Sequence, residues 1–79
     1  MVQMVPLSKE ALGQIAVDFL KKLKNTEQKI DVSFVEAEGN CWVVSGTTLM
    51  EIGGSMWPEK FSVVLDSKGK IKSHSLALL

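Results

Sequence analysis

Two side chains could carry nucleophilic chemistry, and each residue type occurs once in the chain: Cys41 and His74. No cation lies close to Cys41 in the sequence to favour its thiolate, which is the reactive form. His74 falls on the last predicted strand, where it could meet Ser45 and Ser62 across neighbouring strands. No carboxylate is placed beside it to orient the imidazole, and a flat sheet face offers no oxyanion hole. We therefore interpret Cys41 as a structural thiol and the Ser–His row as a cross-strand ladder, and we predict no catalytic residues.

The sequence also predicts no metal site and no cofactor. One Cys and one His are too few for a structural zinc site. Gly53-Gly54 joins two predicted strands rather than a strand and a helix, so it lacks the amide cluster and helix dipole of a phosphate-binding loop.

Composition excludes several classes of protein. The 79 residues carry nine basic and nine acidic side chains, all nine basic ones being Lys, and there is no Tyr. This balance argues against nucleic-acid binding, which typically uses a basic excess and Arg. No signal peptide is visible at the N-terminus, and no apolar run approaches the ~20 residues that span a bilayer. We expect a cytoplasmic protein that does not bind membranes.

The length fits one domain, 1–79, with a single core. A core in so short a chain rarely supplies more than about 3–5 kcal/mol of net stability. Because 46% of the residues are hydrophobic and one Cys cannot form an internal disulfide, self-association is a natural source of further burial.

The chain begins with a predicted helix over about residues 8–25. Apolar residues recur at three- and four-residue steps, which is the period of a helix with one buried face. Ser8 is a good N-cap, and Asn25 can adopt the left-handed conformation that ends a helix. The apolar positions are Leu12, Ile15, Ala16, Phe19 and Leu23.

After Asn25 the period changes to two, and four strands are predicted at about 29–37, 41–51, 57–66 and 70–78. Turn signals at 38–40, Gly53-Gly54 and 66–69 separate them. The expected fold is α+β: one long helix packed on a four-stranded antiparallel meander, with residues 1–5 as an optional fifth strand.

The turns allow the register to be predicted. A three-residue loop at 38–40 would pair Phe34 with Val44, and a two-residue Gly53-Gly54 turn would pair Val44 with Val63. A three-residue loop at 67–69 would pair Leu65 with Ile71. These pairings place one apolar set on the face that holds the helix: Ile30, Val32, Phe34, Trp42, Val44, Phe61, Val63, Leu65 and Ile71.

The opposite face of the predicted sheet is unusually apolar, and exposed apolar patches often mark interaction sites. The alternative is that these β-branched residues are simply good strand formers. The candidate interface residues are Val35, Val43 and Val64 in one row, with Leu49, Leu76 and Leu78 nearby; Ser33, Ser45, Ser62 and His74 form the adjacent polar row.

Charge is unevenly distributed along the predicted strands. Residues 31–59 contain five acidic side chains and no Lys, whereas residues 60–79 contain four Lys and one Asp. This asymmetry could orient two subunits antiparallel, or it could be an ordinary solvated surface.

The layout resembles the cystatin fold, in which an antiparallel meander wraps one long helix. Ile15-Ala16-Val17-Asp18 is similar to the Ala-Val helix signature of plant cystatins. Trp42-Val43-Val44-Ser45-Gly46 falls where that family carries its Gln-x-Val-x-Gly hairpin motif, with Trp42 in place of the Gln. The family's second-loop Pro-Trp has no counterpart at 66–69, and residues 1–7 contain no Gly. A weaker similarity, through the Leu-Asp-x-x-Gly hairpin at 65–69, is to PepSY modules and a gas-vesicle accessory family.

Two functions follow from these observations. The first is a non-enzymatic binding module that forms a homodimer, or binds an unknown protein partner, through the uncovered sheet face. The alternative, which the resemblance implies, is a divergent cysteine-protease inhibitor that uses its hairpins as a wedge. In that case Trp42, Gly46 and Trp57 are the candidate contact residues. For the two tryptophans we favour the structural alternative, which is the core for Trp42 and packing at the edge of the core for Trp57.

Overall fold

The computed structural model describes residues 8–25 and 29–79, and this part of the chain contains one helix and four strands. The strands form a single antiparallel sheet in the order β1-β2-β3-β4, and helix α1 packs on one of its faces. The predicted α+β class is therefore confirmed, whereas the optional fifth strand lies outside the described residues. The elements are α1 (Lys9–Lys24), β1 (Asp31–Glu38), β2 (Cys41–Ile52), β3 (Ser55–Asp66) and β4 (Ile71–Leu78).

Both ends of helix α1 are capped as the sequence predicts. The Ser8 hydroxyl accepts a hydrogen bond from the Ala11 amide at 3.0 Å, which satisfies one of the unpaired N–H groups of the first turn. Asn25 adopts the left-handed conformation, with φ 51°, and its amide donates to carbonyls of the last turn. Caps of this kind explain why both ends of this helix could be read from the sequence.

Two of the three predicted turns have the expected length. Ile52 pairs with Ser55 across Gly53-Gly54, and both glycines have the positive φ that this two-residue turn requires. Leu65 pairs with Ile71 across the loop at 67–69. The first turn is different, because Glu38 pairs with Cys41 across the two residues Gly39-Asn40, with Gly39 at φ 61°. The predicted three-residue loop at 38–40 is therefore wrong.

This shorter turn changes which side chains of β1 face the helix. Val35, not Phe34, lies opposite the buried Val44, while Phe34 lies opposite Ser45 on the other face. A β-bulge between Val32 and Phe34 then places Val32 opposite Gly46, on the helix side where the sequence analysis expected it. The prediction that Phe34 belongs to the core and Val35 to the uncovered face is wrong.

A second β-bulge, in β4, also changes which side chains face the helix. Leu65 pairs with Ile71 but Val64 pairs with Ser73, so Lys72 is an extra residue on β4. Beyond it, His74 lies opposite the buried Val63 and faces the helix. Because Leu76 and Leu78 keep this alternation, they also lie on the helix side, where Leu76 packs against the core. The predicted positions of these two leucines and of His74 on the uncovered face are wrong.

The core lies between α1 and the sheet, and its members are apolar side chains from the helix, the segment before β1 and the two central strands. Half-buried residues of the helix and of β1, β2 and β4, Trp42 among them, pack around it. The fully or largely buried members are Leu12, Ala16, Leu20, Ile30, Val44, Phe61, Val63 and Leu65.

The central strands are longer than their neighbours. At 12 residues each, β2 and β3 are about 40 Å long. Pairing with β1 ends at Thr47, and pairing with β4 ends at Glu59. The hairpin over residues 49–58, here called the arm, therefore continues as a two-stranded ribbon beyond the four-stranded sheet.

Candidate functional site: the open face of the sheet

The sheet face opposite α1, here called the open face, is organised in rows of residues that lie directly across from one another. Residues in such rows share a face, because side chains alternate along each strand. The rows are Glu36, Val43, Val64 and Ser73; Phe34, Ser45, Ser62 and Ser75; Asp31, Thr47, Lys60 and Ala77; and, on the arm, Leu49 with Pro58 and Glu51 with Met56.

The middle of the open face carries apolar and hydroxyl side chains, and its charged residues lie mostly towards the margins. Phe34 is 48% exposed and Leu49 is 40% exposed, whereas Val43 and Val64 are half-buried by their neighbours alone. Small serine side chains separate these apolar groups, so the surface is nearly flat. Such a surface suits packing against another flat layer, since two sheets pack face to face through interdigitating side chains.

Three of the six residues predicted for the interface lie on this face: Val43, Val64 and Leu49. The other three, Val35, Leu76 and Leu78, lie on the helix side for the reasons given above. Phe34 belongs to the open face but was assigned to the core by the sequence analysis. The signal that could have placed it correctly is the Gly-Asn pair at 39–40, since Gly first in a two-residue hairpin turn is a recognised pattern.

The three candidate hairpin contacts do not form one site. Trp42 packs against the core on the helix side, as one of the two sequence interpretations predicted. Gly46 lies in the middle of β2, where an added Cβ would come 1.9 Å from the Asp31 carbonyl oxygen and 2.8 Å from the Phe61 ring. Trp57 alone lies on the arm, where it is 52% exposed. Gly46 is therefore a close-packing position away from either hairpin tip, and Trp42, although it follows the β1–β2 turn, packs on the core.

Cys41 and His74 lie on opposite faces of the sheet. The His74 ring packs edge-on against Phe19 of the helix, with ring centroids 5.1 Å apart. It is therefore separated by the sheet from Ser45 and Ser62, and the predicted Ser–His ladder is wrong. Cys41 lies on the open-face side, where the Lys72 ammonium lies 3.8 Å from its Sγ. The two residues cannot act together as a nucleophile and its base.

A buried ion pair lies at the C-terminal end of α1. Lys24 donates to Glu59 Oε1, and the exposed fractions of the two side chains are 13% and 2%. They line an open pocket of about 390 Å³ together with Leu49, Met50 and Leu76. Because each charge is satisfied by the other, a ligand in this pocket would have to break the pair. We interpret the pair as a link between the helix and β3.

The turn between β3 and β4 is held by a carboxylate. Asp66 Oδ1 accepts hydrogen bonds from the amides of Lys70 at 2.9 Å and Lys68 at 2.8 Å. The bond from Lys70, followed by that from Lys68, lowers the pKa of Asp66 below its usual value because both stabilise the ionised form. These two bonds hold Lys68 and Lys70 in a defined turn at the start of β4.

Within residues 8–25 and 29–79, no three His, Cys, Asp or Glu side chains lie close enough together to hold a metal ion. The described helix is not one that could cross a membrane by length and apolar character.

Comparison of the chain with protein-family models, curated proteins and solved structures found no match. The open face is therefore the feature of the described residues from which a function can be inferred.

Proposed function

We propose that this protein is a non-catalytic binding module that self-associates through the open face of its sheet. The observation that carries the proposal is the position of Phe34. The turn at Gly39-Asn40 directs this large aromatic side chain onto the face that no other element of the described residues covers. Exposed aromatic side chains surrounded by small residues are typical of interface cores.

The open face is large enough for a small dimer interface. Four strands spaced about 4.8 Å apart over seven residues, together with the two-stranded arm, cover roughly 600 Å². A standard interface buries about 800 Å² on each partner, and a pleated surface has more accessible area than its flat outline. Face-to-face packing would also cover Leu49 and Met56 on the arm.

The apolar contribution can be estimated from Phe34. A Phe side chain presents about 200 Å², of which 48% is exposed here, so each copy can bury about 100 Å² more. At about 25 cal/mol per Å², this gives about 2.5 kcal/mol per copy and about 5 kcal/mol per symmetric dimer as an upper estimate. Removing the ring should therefore weaken the dimer by up to about 5,000-fold, and half of this free energy would still weaken it about 70-fold.

The test is sedimentation velocity of the full chain from low micromolar to near-millimolar concentration. We expect the wild-type chain to dimerise and Phe34→Gln to shift the transition to much higher concentration. Leu23→Gln is the matched control, because Leu23 is also 48% exposed but lies on the helix. Circular dichroism of each variant checks that the fold is retained.

Three results would contradict the proposal. A wild-type chain that stays monomeric throughout the range has no self-association to explain. A Phe34→Gln variant that dimerises as the wild type does would move the interface elsewhere. Equal weakening by Leu23→Gln and Phe34→Gln would remove the distinction between the two faces.

A further inference from the structure

The two margins of the open face carry opposite charge. Strand β1 contributes the acidic residues, since Glu36 lies opposite Val43 and Glu38 lies opposite Cys41, both on this face. The basic residues lie at the other margin, where Lys72 reaches across to the Cys41 sulfur and Lys70 precedes β4. The sheet order β1-β2-β3-β4 places the backbones of β1 and β4 about 14 Å apart, although the Lys72 side chain extends over β3 as far as Cys41, which lies opposite Glu38.

Glu36 and Glu38 of the acidic margin form no ion pair with any of the residues that the structure describes. Asp31, at the far end of β1, has an exposed partner in Lys29 at 3.6 Å. Glu36 and Glu38 are both exposed, so they are available to a positive partner from outside the chain.

Both charged groups lie at the same end of the sheet. Glu36 and Glu38 adjoin the turn between β1 and β2, and Lys70 and Lys72 adjoin the turn between β3 and β4. A second copy can complement both groups only if its sheet is turned over without being reversed end to end. A two-fold axis parallel to the strands does this, since it places β1 over β4 of the partner and leaves the strand direction unchanged.

The other symmetric arrangements bring like charges together. A two-fold axis across the strands places β1 over β1 of the partner, and an axis perpendicular to the sheet joins identical edges side by side. Both axes also reverse the strands end to end, so Glu36 and Glu38 of one copy would lie towards the Asp31 end of the other acidic β1 and away from the lysines of β4. Like charges at an interface act against it.

The arm favours the same arrangement for a different reason. A two-stranded ribbon is marginally stable in water unless another layer covers it. With the axis parallel to the strands, both arms extend in the same direction, so Leu49 and Met56 of the two copies face each other. With the axis across the strands, the arms extend in opposite directions and overlap less.

We infer that the partner of the open face is a second copy, and that the two copies form a two-fold dimer in which the acidic β1 margin of each lies over the basic β4 margin of the other. This inference rests on the self-association proposed above and adds its orientation. It pairs Glu36 of one copy with Lys72 of the other, twice in each dimer.

The test is a charge swap in the full chain, followed by sedimentation velocity at low salt. Glu36→Lys and Lys72→Glu should each raise the dimer dissociation constant by about 10-fold or more, because each replaces two attractions with two repulsions. The double variant E36K/K72E should return the constant to within a few-fold of the wild-type value. Glu10→Lys, a reversal at an exposed helix residue, is the control and should have little effect.

The single and double variants separate this inference from the proposed function. If the wild-type chain dimerises and Phe34→Gln weakens the dimer, but the double variant is no better than the singles, the open face is the interface and the orientation is wrong. A Glu36→Lys variant that dimerises as tightly as the wild type also overturns the orientation. Growth into chains longer than dimers would instead indicate pairing of β1 and β4 edges, and a monomeric wild type would overturn both proposals.

Discussion

Gly46 provides a sensitive test of the packing of β1 on β2. It lies opposite Val32 next to the bulge, and β1 passes so close to it that an alanine Cβ would come 1.9 Å from the Asp31 carbonyl oxygen. The same Cβ would come 2.8 Å from two carbons of the Phe61 ring, which is itself 1% exposed in the core. Neither neighbour can yield cheaply, because one is backbone and the other is packed on all sides.

The expected cost of Gly46→Ala can be bounded. Overpacking a core usually costs about 1–3 kcal/mol, and a contact of 1.9 Å requires the start of β1 to separate from β2. Breaking the Asp31–Thr47 and Val32–Gly46 pairs adds to that cost. We expect a loss of about 3 kcal/mol or more, which approaches the whole stability typical of a chain this short.

Gly13→Ala is a matched control, because it should change the free energy of unfolding in the opposite direction. Gly13 lies inside α1, and an added Cβ would meet the Val32 methyl groups at 3.8 and 3.9 Å, which is ordinary contact. Because Ala is favoured over Gly in a helix interior, this variant should gain about 0.5–1 kcal/mol. Urea unfolding followed by Trp fluorescence, at one protein concentration, measures both variants. A Gly46→Ala chain as stable as the wild type would refute the reasoning.

Three further predictions concern stability. Lys24→Met or Glu59→Met alone should lower the free energy of unfolding by about 3–5 kcal/mol, because each leaves a buried charge unpaired. Urea unfolding of the double variant should show that most of this loss is recovered. Equal losses in the single and double variants would contradict this. Thr48→Val should stabilise by about 1 kcal/mol, because the Thr48 hydroxyl is buried without a hydrogen-bond partner, and a lower unfolding midpoint would show that the hydroxyl is satisfied. Asp66→Ala should destabilise the chain near neutral pH through loss of the turn bonds. Because the pKa of Asp66 is lower in the folded chain, its stabilisation is present above the unfolded pKa and disappears as pH falls through the folded pKa, so the wild type and the variant should converge in acid; a difference independent of pH would contradict it.

The proposed dimer accounts for two features that a monomer leaves without a purpose. The first is an aromatic side chain directed outward by the turn at Gly39-Asn40, and the second is a two-stranded ribbon that extends beyond the four-stranded sheet. Cysteine-protease inhibition, which the cystatin resemblance implies, stays a prediction. Inhibition of a papain-like protease would test it directly, and the arm with Trp57 is the part of the chain to vary, because changes at Gly46 would disturb the core.

The local elements could be predicted from the sequence because short-range chemistry determines them. Ser8 and Asn25 cap the helix through their own side chain or backbone conformation. Gly53-Gly54 forms its turn because both positions need positive φ. The period of apolar residues distinguishes the helix from the strands before any tertiary contact is known.

Tertiary packing decided which side chains occupy which face. A strand has a period of two, so a single extra residue moves every later side chain to the other face. The turn at Gly39-Asn40 places Phe34 on the open face, and the bulge in β4 places His74 beneath the helix; no local pattern around 32–34 or 71–73 indicates the two bulges.

The burial of Glu59 was also decided by tertiary structure. Glutamate on a strand predicts a solvated position, yet Glu59 is 2% exposed because Lys24, 35 residues earlier, lies beside it at the end of the helix. The sequence by itself therefore determined the elements and their order, through caps, turns and periodicity. The faces of β1 and β4, the buried ion pair and the open face depend on contacts between residues far apart in the chain, which only the folded structure brings together.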